Sequence, residues 1–516
     1  MRTWKIVGLA ALLASSAASA AGISVEEITV SQLQKAITEK RASCRDIVEA
    51  HLQRIASFDK KGPALNAILT LNPRALARAD ELDAAFATSG LTGPLHCVPI
   101  VLKDNYNSVD LPTTDGSASL AGMQPTKDAF VVAKLRQAGA VVLAKTNMHE
   151  FAVSGTTASS LGGQTLNPYD LTRTPGGSSG GTGAALAASF AVLGTGSDTV
   201  NSIRSPASAN NIVGFRPTRG LISRAGIAPV SETQDAIGPL ARTVEDVARM
   251  LEVMQGADPE DPATAESQGK SGSNYLQALS PDGLNGARIG VLRSMFGSKP
   301  EHEEVNRVMG LALDVMRKAG ATVIEIDAPD LDAAKVGSST DVQKYEFKPL
   351  LNAYLASIPN APAKSLADII ASGKIHKASV ESFLKGSEAV ENGTQDPDYK
   401  ARLQRISEVR KAVDRVLEEN RLNALVYPLQ RRLVVPVTEL NQADRNGILA
   451  SVTGLPALDV PAGFSTPTAD APTGVPIGMD LLGRAWSEAA LLRIGYAFEQ
   501  AAHVRKPPPS TPALPH

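Results

Sequence analysis

PGGSSGGTGAALAASFAVLGTGSDTVNSIRSPASANNIVGFRPT, residues 175–218, carries two glycine- and serine-rich turns on either side of an alanine-dense run. The first turn, Pro175-Gly-Gly-Ser178-Ser179-Gly-Gly181, enters a run over 182–193 whose small side chains suit a helix lying close on a sheet. Backbone N–H groups at such a turn form a natural anion site. The G-K-[ST] ending of a phosphate loop is absent. A formal G-x-S-x-G match centres on Ser179, but a nucleophile elbow follows a strand directly, and residues 170–175 make a poor strand. The second turn, Gly196-Ser-Asp198-Thr-Val-Asn201-Ser202-Ile-Arg204-Ser-Pro206, is polar. A buried Asp198–Arg204 pair fixing that turn is one reading of it, compatible with a further chemical role.

Outward from this stretch, strands and helices alternate. Short apolar runs at 98–102 and 140–144 read as strands, with Pro99 marking a strand start or a sheet edge. Residues 152–181, rich in Gly, Ser and Thr, read as a long ordered loop. Helical periodicity covers 30–55 and 75–87. Strands at 287–292 and 322–326 flank a helix over 301–319, and residues 341–422 are mainly helical. Strands at 424–427 and 457–460 precede a closing helix over 486–502. The alternation predicts α/β layers: a large mixed, mostly parallel twisted sheet covered by helices on both faces. The tail 506–516 is proline-rich and is expected to be extended or disordered.

Residues 1–20 differ from the rest. Arg2 and Lys5 precede an apolar stretch from Ile6 to Ala14, and small residues end at Ala18-Ser19-Ala20. This is the pattern of a signal peptide, and the stretch is shorter than the ~20 residues a membrane span needs. The expectation is an exported protein, periplasmic or extracellular, with no membrane attachment after cleavage. The formal net charge of −2 and the lack of a long basic run argue against nucleic acid as a partner. The two cysteines, Cys44 and Cys97, allow one bridge at most. Export permits that bridge, yet each lies in an apolar or helical pattern, so buried free thiols are the expectation. The seven histidines are scattered with no zinc spacing, so neither metal nor cofactor is expected.

A third segment, Val98-Pro-Ile-Val-Leu-Lys103-Asp-Asn105, places a lysine where a strand meets a loop. Lys103 precedes Ser178 by 75 residues and Ser178 precedes Ser202 by 24. In order and spacing the three segments resemble the amidase signature family, whose defining block runs from the glycine–serine turn through D-x-x-x-S-I-R to Gly214-Phe-Arg-Pro-Thr218. Flanking matches include Lys145-Thr-Asn147, Asn167-Pro-Tyr169, Gly238-Pro239 and Gly454-Leu-Pro-Ala457. Tyr345-Glu-Phe-Lys348 and Leu351-Asn-Ala-Tyr354 look like its bacterial peptide amidase-like subgroup.

The resemblance implies one amidase signature domain over 21–505, including the helical segment around 341–422. It implies Ser202 as nucleophile, Ser178 as proton bridge across a cis Gly177–Ser178 peptide, and Lys103 as base. Backbone N–H groups of Thr199, Val200, Asn201 and Ser202 would hold the oxyanion. Gly177, Ser179, Asp198 and Arg204 would support the site, and Ala152 and Ser154 would line the substrate pocket. The implied reaction is hydrolysis of small or peptidyl carboxamides. The alternatives are aryl-amide, carbamate or ester cleavage by the same triad, or service within a glutamine amidotransferase as one of its subunits. Two departures from the family stand out. Val200-Asn201 replaces the usual two glycines, so either the turn avoids positive φ at 200 or the site is reshaped. Cys97 also stands in place of a usual glycine.

Overall fold

Two of the runs read as strands become parallel neighbours, β2 (Pro99–Lys103) and β3 (Val141–Thr146), in a computed structural model that describes residues 23–272 and 274–514. Their side chains are buried on both faces, which is why each reads as an unbroken apolar run rather than an alternation. Pro99 is the first residue of β2, where a missing N–H is tolerated, and β2 is interior to the sheet.

The other strands are β1 (Ile68–Leu71), a small ribbon of β4 (Ala158–Ser159) and β5 (Gly163–Gln164), β6 (Leu193–Asp198), β7 (Val213–Arg216) and β8 (Ala236–Ala241). They continue with β9 (Arg288–Leu292), β10 (Thr322–Ile326), β11 (Ala424–Pro428), β12 (Ala457–Phe464) and β13 (Pro476–Leu482). Eleven form one sheet in the order β1-β3-β2-β6-β8-β7-β12-β13-β11-β9-β10. The sheet is large and mixed, as expected, but its parallel share is smaller than the alternation of elements suggests. β2 pairs parallel with β3 and β6, and β9 with β10 and β11; the remaining neighbours are antiparallel. The difference comes from β6, β7, β8 and β13, which contain Gly, Ser or Pro and give no strand-like signal in the sequence.

Both faces of the sheet are covered. Along β11, Ala424 and Val426 join one apolar cluster while Leu425 and Tyr427 join another, as a two-residue strand period requires. The first cluster receives helices Cys44–Phe58, Val244–Met254 and Glu488–Ala502; the second receives Pro397–Glu419 and Ile448–Thr453. The helix expected over 182–193 spans Gly180–Ala187, and β6 follows it almost at once. At Gly181 a side chain would strike the main chain of Asn147, and at Gly194 it would strike Thr182, so both glycines permit this helix to seat on the sheet. A third cluster, with Phe347, Leu351 and Tyr354 from helix Gln343–Ala356, packs on Met148, Phe151 and Ala152.

Cys44 and Cys97 are disulfide-bonded, not free thiols, with Cα atoms 5.5 Å apart. The sequence places them 53 residues apart, and only the fold brings helix Cys44–Phe58 against the approach to β2. Closing a loop of that length contributes about 4 kcal/mol in the chain-entropy account. Cys97 has φ +63°, which fits a position where glycine is usual.

The proline-rich tail, described to residue 514, is extended and fastened. Prolines donate no N–H, so other groups hold it. Lys506 N–H donates to Asn211 Oδ1 (3.1 Å), Ser510 Oγ to Pro168 O (2.6 Å), and the Arg54 guanidinium to the carbonyls of Thr511 and Pro512. The expected signal peptide, 1–20, lies outside the described residues. Among the described residues no helix is long and apolar enough to cross a membrane.

Candidate active site

Lys103 ends β2, and its N–H donates to Thr195 Oγ1 on the neighbouring β6 (3.0 Å). Its Nζ hydrogen-bonds Ser178 Oγ at 2.6 Å and Ser197 Oγ at 2.8 Å. Asn105 Nδ2 donates to the same Ser197 oxygen (3.0 Å). The lysine is fully buried. Burial pushes its pKa down to about 7, while the charges of Asp115, Asp198 and Asp235 oppose the shift. An amine held near 7 is substantially neutral at neutral pH and can accept a proton. Sequence reasoning does not single out Thr195 and Ser197; their signal is a polar residue at every second position of a glycine-rich strand.

The Gly177–Ser178 peptide is cis. Thr157 Oγ1 donates to Gly176 O (2.7 Å), and His149 N–H to Ser178 O (2.9 Å), so the loop 149–157 frames this turn. Ser179 is buried, with Oγ turned to Ser197 O (3.4 Å), and no strand runs directly into it, the preceding one ending at Gln164, which removes the elbow reading.

Ser202 lies in the turn after β6 and is 6% exposed, while its neighbours Asn201 and Ile203 are closed off entirely. Its hydroxyl makes no hydrogen bond within the described residues, so the Ser178–Ser202 link is not formed here. Such contacts commonly tighten only when substrate binds. Among the described residues no group accepts from the N–H of Thr199, Val200, Asn201 or Ser202, and none of the four has positive φ. Of the two readings of Val200-Asn201, the turn avoids the left-handed region.

The turn is held by charge. Arg204 Nε and Nη2 each lie 3.2 Å from Asp198, Nη1 lies 2.5 Å from Asp480, and Nη2 donates to Val200 O (2.7 Å) and Gly447 O (2.9 Å). Arg216 Nη1 shares Asp198 Oδ1 with Arg204 Nη2, at 2.9 Å. Burial would raise the Asp198 carboxyl, but Arg204 and Arg216 outweigh it and hold Asp198 below the usual range. Removing one partner of such a buried cluster leaves uncompensated charge. Arg204→Ala is therefore expected to cost about 3–5 kcal/mol, read by chemical denaturation; a loss below about 1 kcal/mol, the range of an exposed pair, would show that this cluster does not brace the turn.

A cleft of about 180 Å³ opens beside Thr199, lined in part by Ala228, Val230, Asp235, Ile237 and Leu350. Ala152 and Ser154 do not line it. Ala152 is buried in the cluster with Phe347, and Ser154 Oγ faces Leu440 O and Asn441. No histidine ring bonds Ser178, Ser202 or Lys103 among the described residues. His149 is fully buried, its Nδ1 accepts from Ala158 N–H (3.4 Å), and burial depresses it to about 3. His96 Nδ1 is taken by Thr92. Glu301, His302 and Asp444 come together elsewhere, but His302 Nδ1 accepts from Lys299 N–H, leaving Nε2 as the donor to Asp444.

The family model described as Amidase matches residues 46–492. The chain belongs to the amidase family. A probable amidase from Arabidopsis thaliana is 34% identical, over 94% of this chain and 92% of that protein. A glutamyl-tRNA(Gln) amidotransferase subunit from a Synechococcus strain is also 34% identical, over 93% and 94%. The crystal structure of the native peptide amidase from Stenotrophomonas maltophilia superposes with a TM-score of 0.84 at 37% identity, covering 93% of this chain and 98% of that one. This amidase is thus an amide hydrolase with the peptide amidase-like fold.

Proposed function

We propose that this amidase cleaves small or peptidyl carboxamides through an acyl-enzyme on Ser202. The observation that carries the reading is the fully buried Lys103, lowered toward neutrality, with Nζ 2.6 Å from Ser178 Oγ. Ser202 Oγ bonds to the amide carbon as its proton passes to Ser178 and the Ser178 proton passes to Lys103. The free N–H groups of residues 199–202 receive the oxyanion. The proton then returns through Ser178 to the leaving nitrogen, the C–N bond breaks, and water repeats the relay to release the acid. Arginine could not substitute as base, because it does not give up its proton.

Likeness to a peptide amidase supports peptidyl amides as the substrate class. Likeness to a glutamyl-tRNA(Gln) amidotransferase component supports glutamine as a second reading. Purified protein should be assayed against peptide amides, small amides, anilides, esters, carbamates and glutamine. Turnover of glutamine alone would displace the first reading. Ala228, Val230 and Ile237 favour an acyl portion with apolar surface.

Export is part of the proposal. The pattern over 1–20 motivates it, and the Cys44–Cys97 disulfide supports it, since an oxidising compartment allows such a bond to persist. Protein recovered outside the cytoplasm is expected to begin at Ala21. An intact Met1 terminus in that fraction would contradict cleavage.

A further inference from the structure

Asp104, next to the lysine, fixes a second turn. Its Oδ2 accepts from the N–H groups of Thr114 and Gly116, both at 3.1 Å, and Oδ1 pairs with buried Lys145 at 3.3 Å. Between those two anchored residues stands Asp115, at φ +52°. Its N–H meets Asp104 O (3.4 Å) and its carbonyl accepts from Phe151 N–H (3.0 Å), so both sides of its backbone are tied. The side chain is 1% exposed, Oδ1 is enclosed and unpartnered, and no ion pair reaches the carboxyl among the described residues. An unpaired buried acid is costly and calls for a reason.

The charges around it are committed elsewhere. Asp104 is spent on Lys145 and the turn. Glu150 accepts from Ser160 N–H and His376 N–H. Asp235 accepts from Thr199 Oγ1, Val230 N–H and Ser231 N–H, and Asp198 belongs to Arg204 and Arg216. Tyr354 donates to Asn107, and His149 is neutral. Lys103 in turn touches hydroxyls and one carbonyl but no carboxylate. Among the described residues, a buried amine without an ion-pair partner and a buried carboxyl with an unpartnered oxygen thus flank Asp104, the amine as its chain neighbour and the acid through its own N–H to Asp104 O. Burial lifts the Asp115 carboxyl well above the usual range, and Lys103 is the strongest opposing influence. Reciprocally, Asp115 is the acid whose charge bears most on Lys103.

We propose that Asp115 is the counter-charge of Lys103, a positioning residue that steadies the ammonium formed when the lysine takes the Ser178 proton. The inference rests on the base role given to Lys103 above. Two consequences follow from charge alone. Without Asp115 the ammonium is less favourable, so Lys103 becomes neutral at lower pH. The same loss makes proton uptake during acylation harder, so the maximal rate falls.

The test is the pH dependence, from 5 to 10, of fluorophosphonate labelling at Ser202 and of turnover of an uncharged amide, in the wild type and Asp115→Asn. The rising limb in Asp115→Asn should move toward acid by about one unit or more, and its plateau should fall about tenfold or more, with KM little changed. Asp115→Glu, retaining the charge, should restore the limb toward the wild-type position. A variant limb and plateau that coincide with wild type, or a limb moved toward alkali, would overturn the proposal while leaving the Ser202 reading intact. No Ser202 adduct in wild type would overturn both. Should the variants fail to fold, the wild-type Asp115 carboxyl can be followed by carbon NMR. It must respond at the pH where labelling rises; a flat shift through that pH sinks the assignment.

Discussion

Ser202→Ala is expected to lower kcat/KM by about 10⁴-fold or more while leaving the fold and its stability unchanged. The two halves of that expectation have separate causes. The hydroxyl is the proposed bond-forming atom, and no other group in the turn can form the acyl-enzyme. Ser179 is turned into the protein toward Ser197 O, and Ser178 is committed to Lys103. Among the described residues the hydroxyl also carries no hydrogen bond, so its removal orphans no buried partner there, and the ion-pair cluster that holds the turn is untouched. Circular dichroism and denaturation should therefore match wild type. A fluorophosphonate should label wild type on Ser202 and leave the variant unlabelled. An adduct on Ser179, or activity within tenfold of wild type, would move the nucleophile elsewhere.

The parts of this site that were legible in the sequence are those with fixed local spacing. The Ser178–Ser202 interval and the Asp198–Arg204 separation lie within one helix–strand–turn unit, and in the structure Asp198 and Arg204 pair across that turn. The Lys103 segment was legible as an apolar strand ending in a charge. Less legible were β6, β7 and β8 around it. Leu193-Gly-Thr-Gly-Ser-Asp198 has little β-propensity, and its glycines reflect a helix packed close above rather than a turn. Ser197 was missed because its contact with Lys103 comes from the neighbouring strand of the sheet, and Asp115 because only the fold turns its segment back onto Asp104. The Cys44–Cys97 bond was missed for the same reason: apolar surroundings mark burial, and only tertiary proximity makes a bridge.

Lys103→Arg should be nearly as inactive as Lys103→Ala, each losing on the order of 10³-fold or more in kcat/KM. Lys103→Ala removes the proton acceptor and leaves the Ser178 and Ser197 hydroxyls facing the vacated space. Lys103→Arg keeps a positive charge, but the guanidinium stays protonated across the working range and cannot receive the Ser178 proton. Were Lys103 instead a docking point for a substrate carboxylate, arginine would serve at least in part, since its planar fork suits carboxylates. The wild-type pH profile separates the two roles with opposite signs. Burial sets the lysine at about 7, below its ordinary value. A base must be neutral, so kcat/KM for an uncharged amide should rise with pH through about 7 and then level off. A charge-binding lysine would give a profile that falls through the same pH. Measured from pH 5 to 10, a falling profile together with substantial activity in Lys103→Arg would remove the base from the mechanism, and with it the reason for burying an amine against two serine hydroxyls.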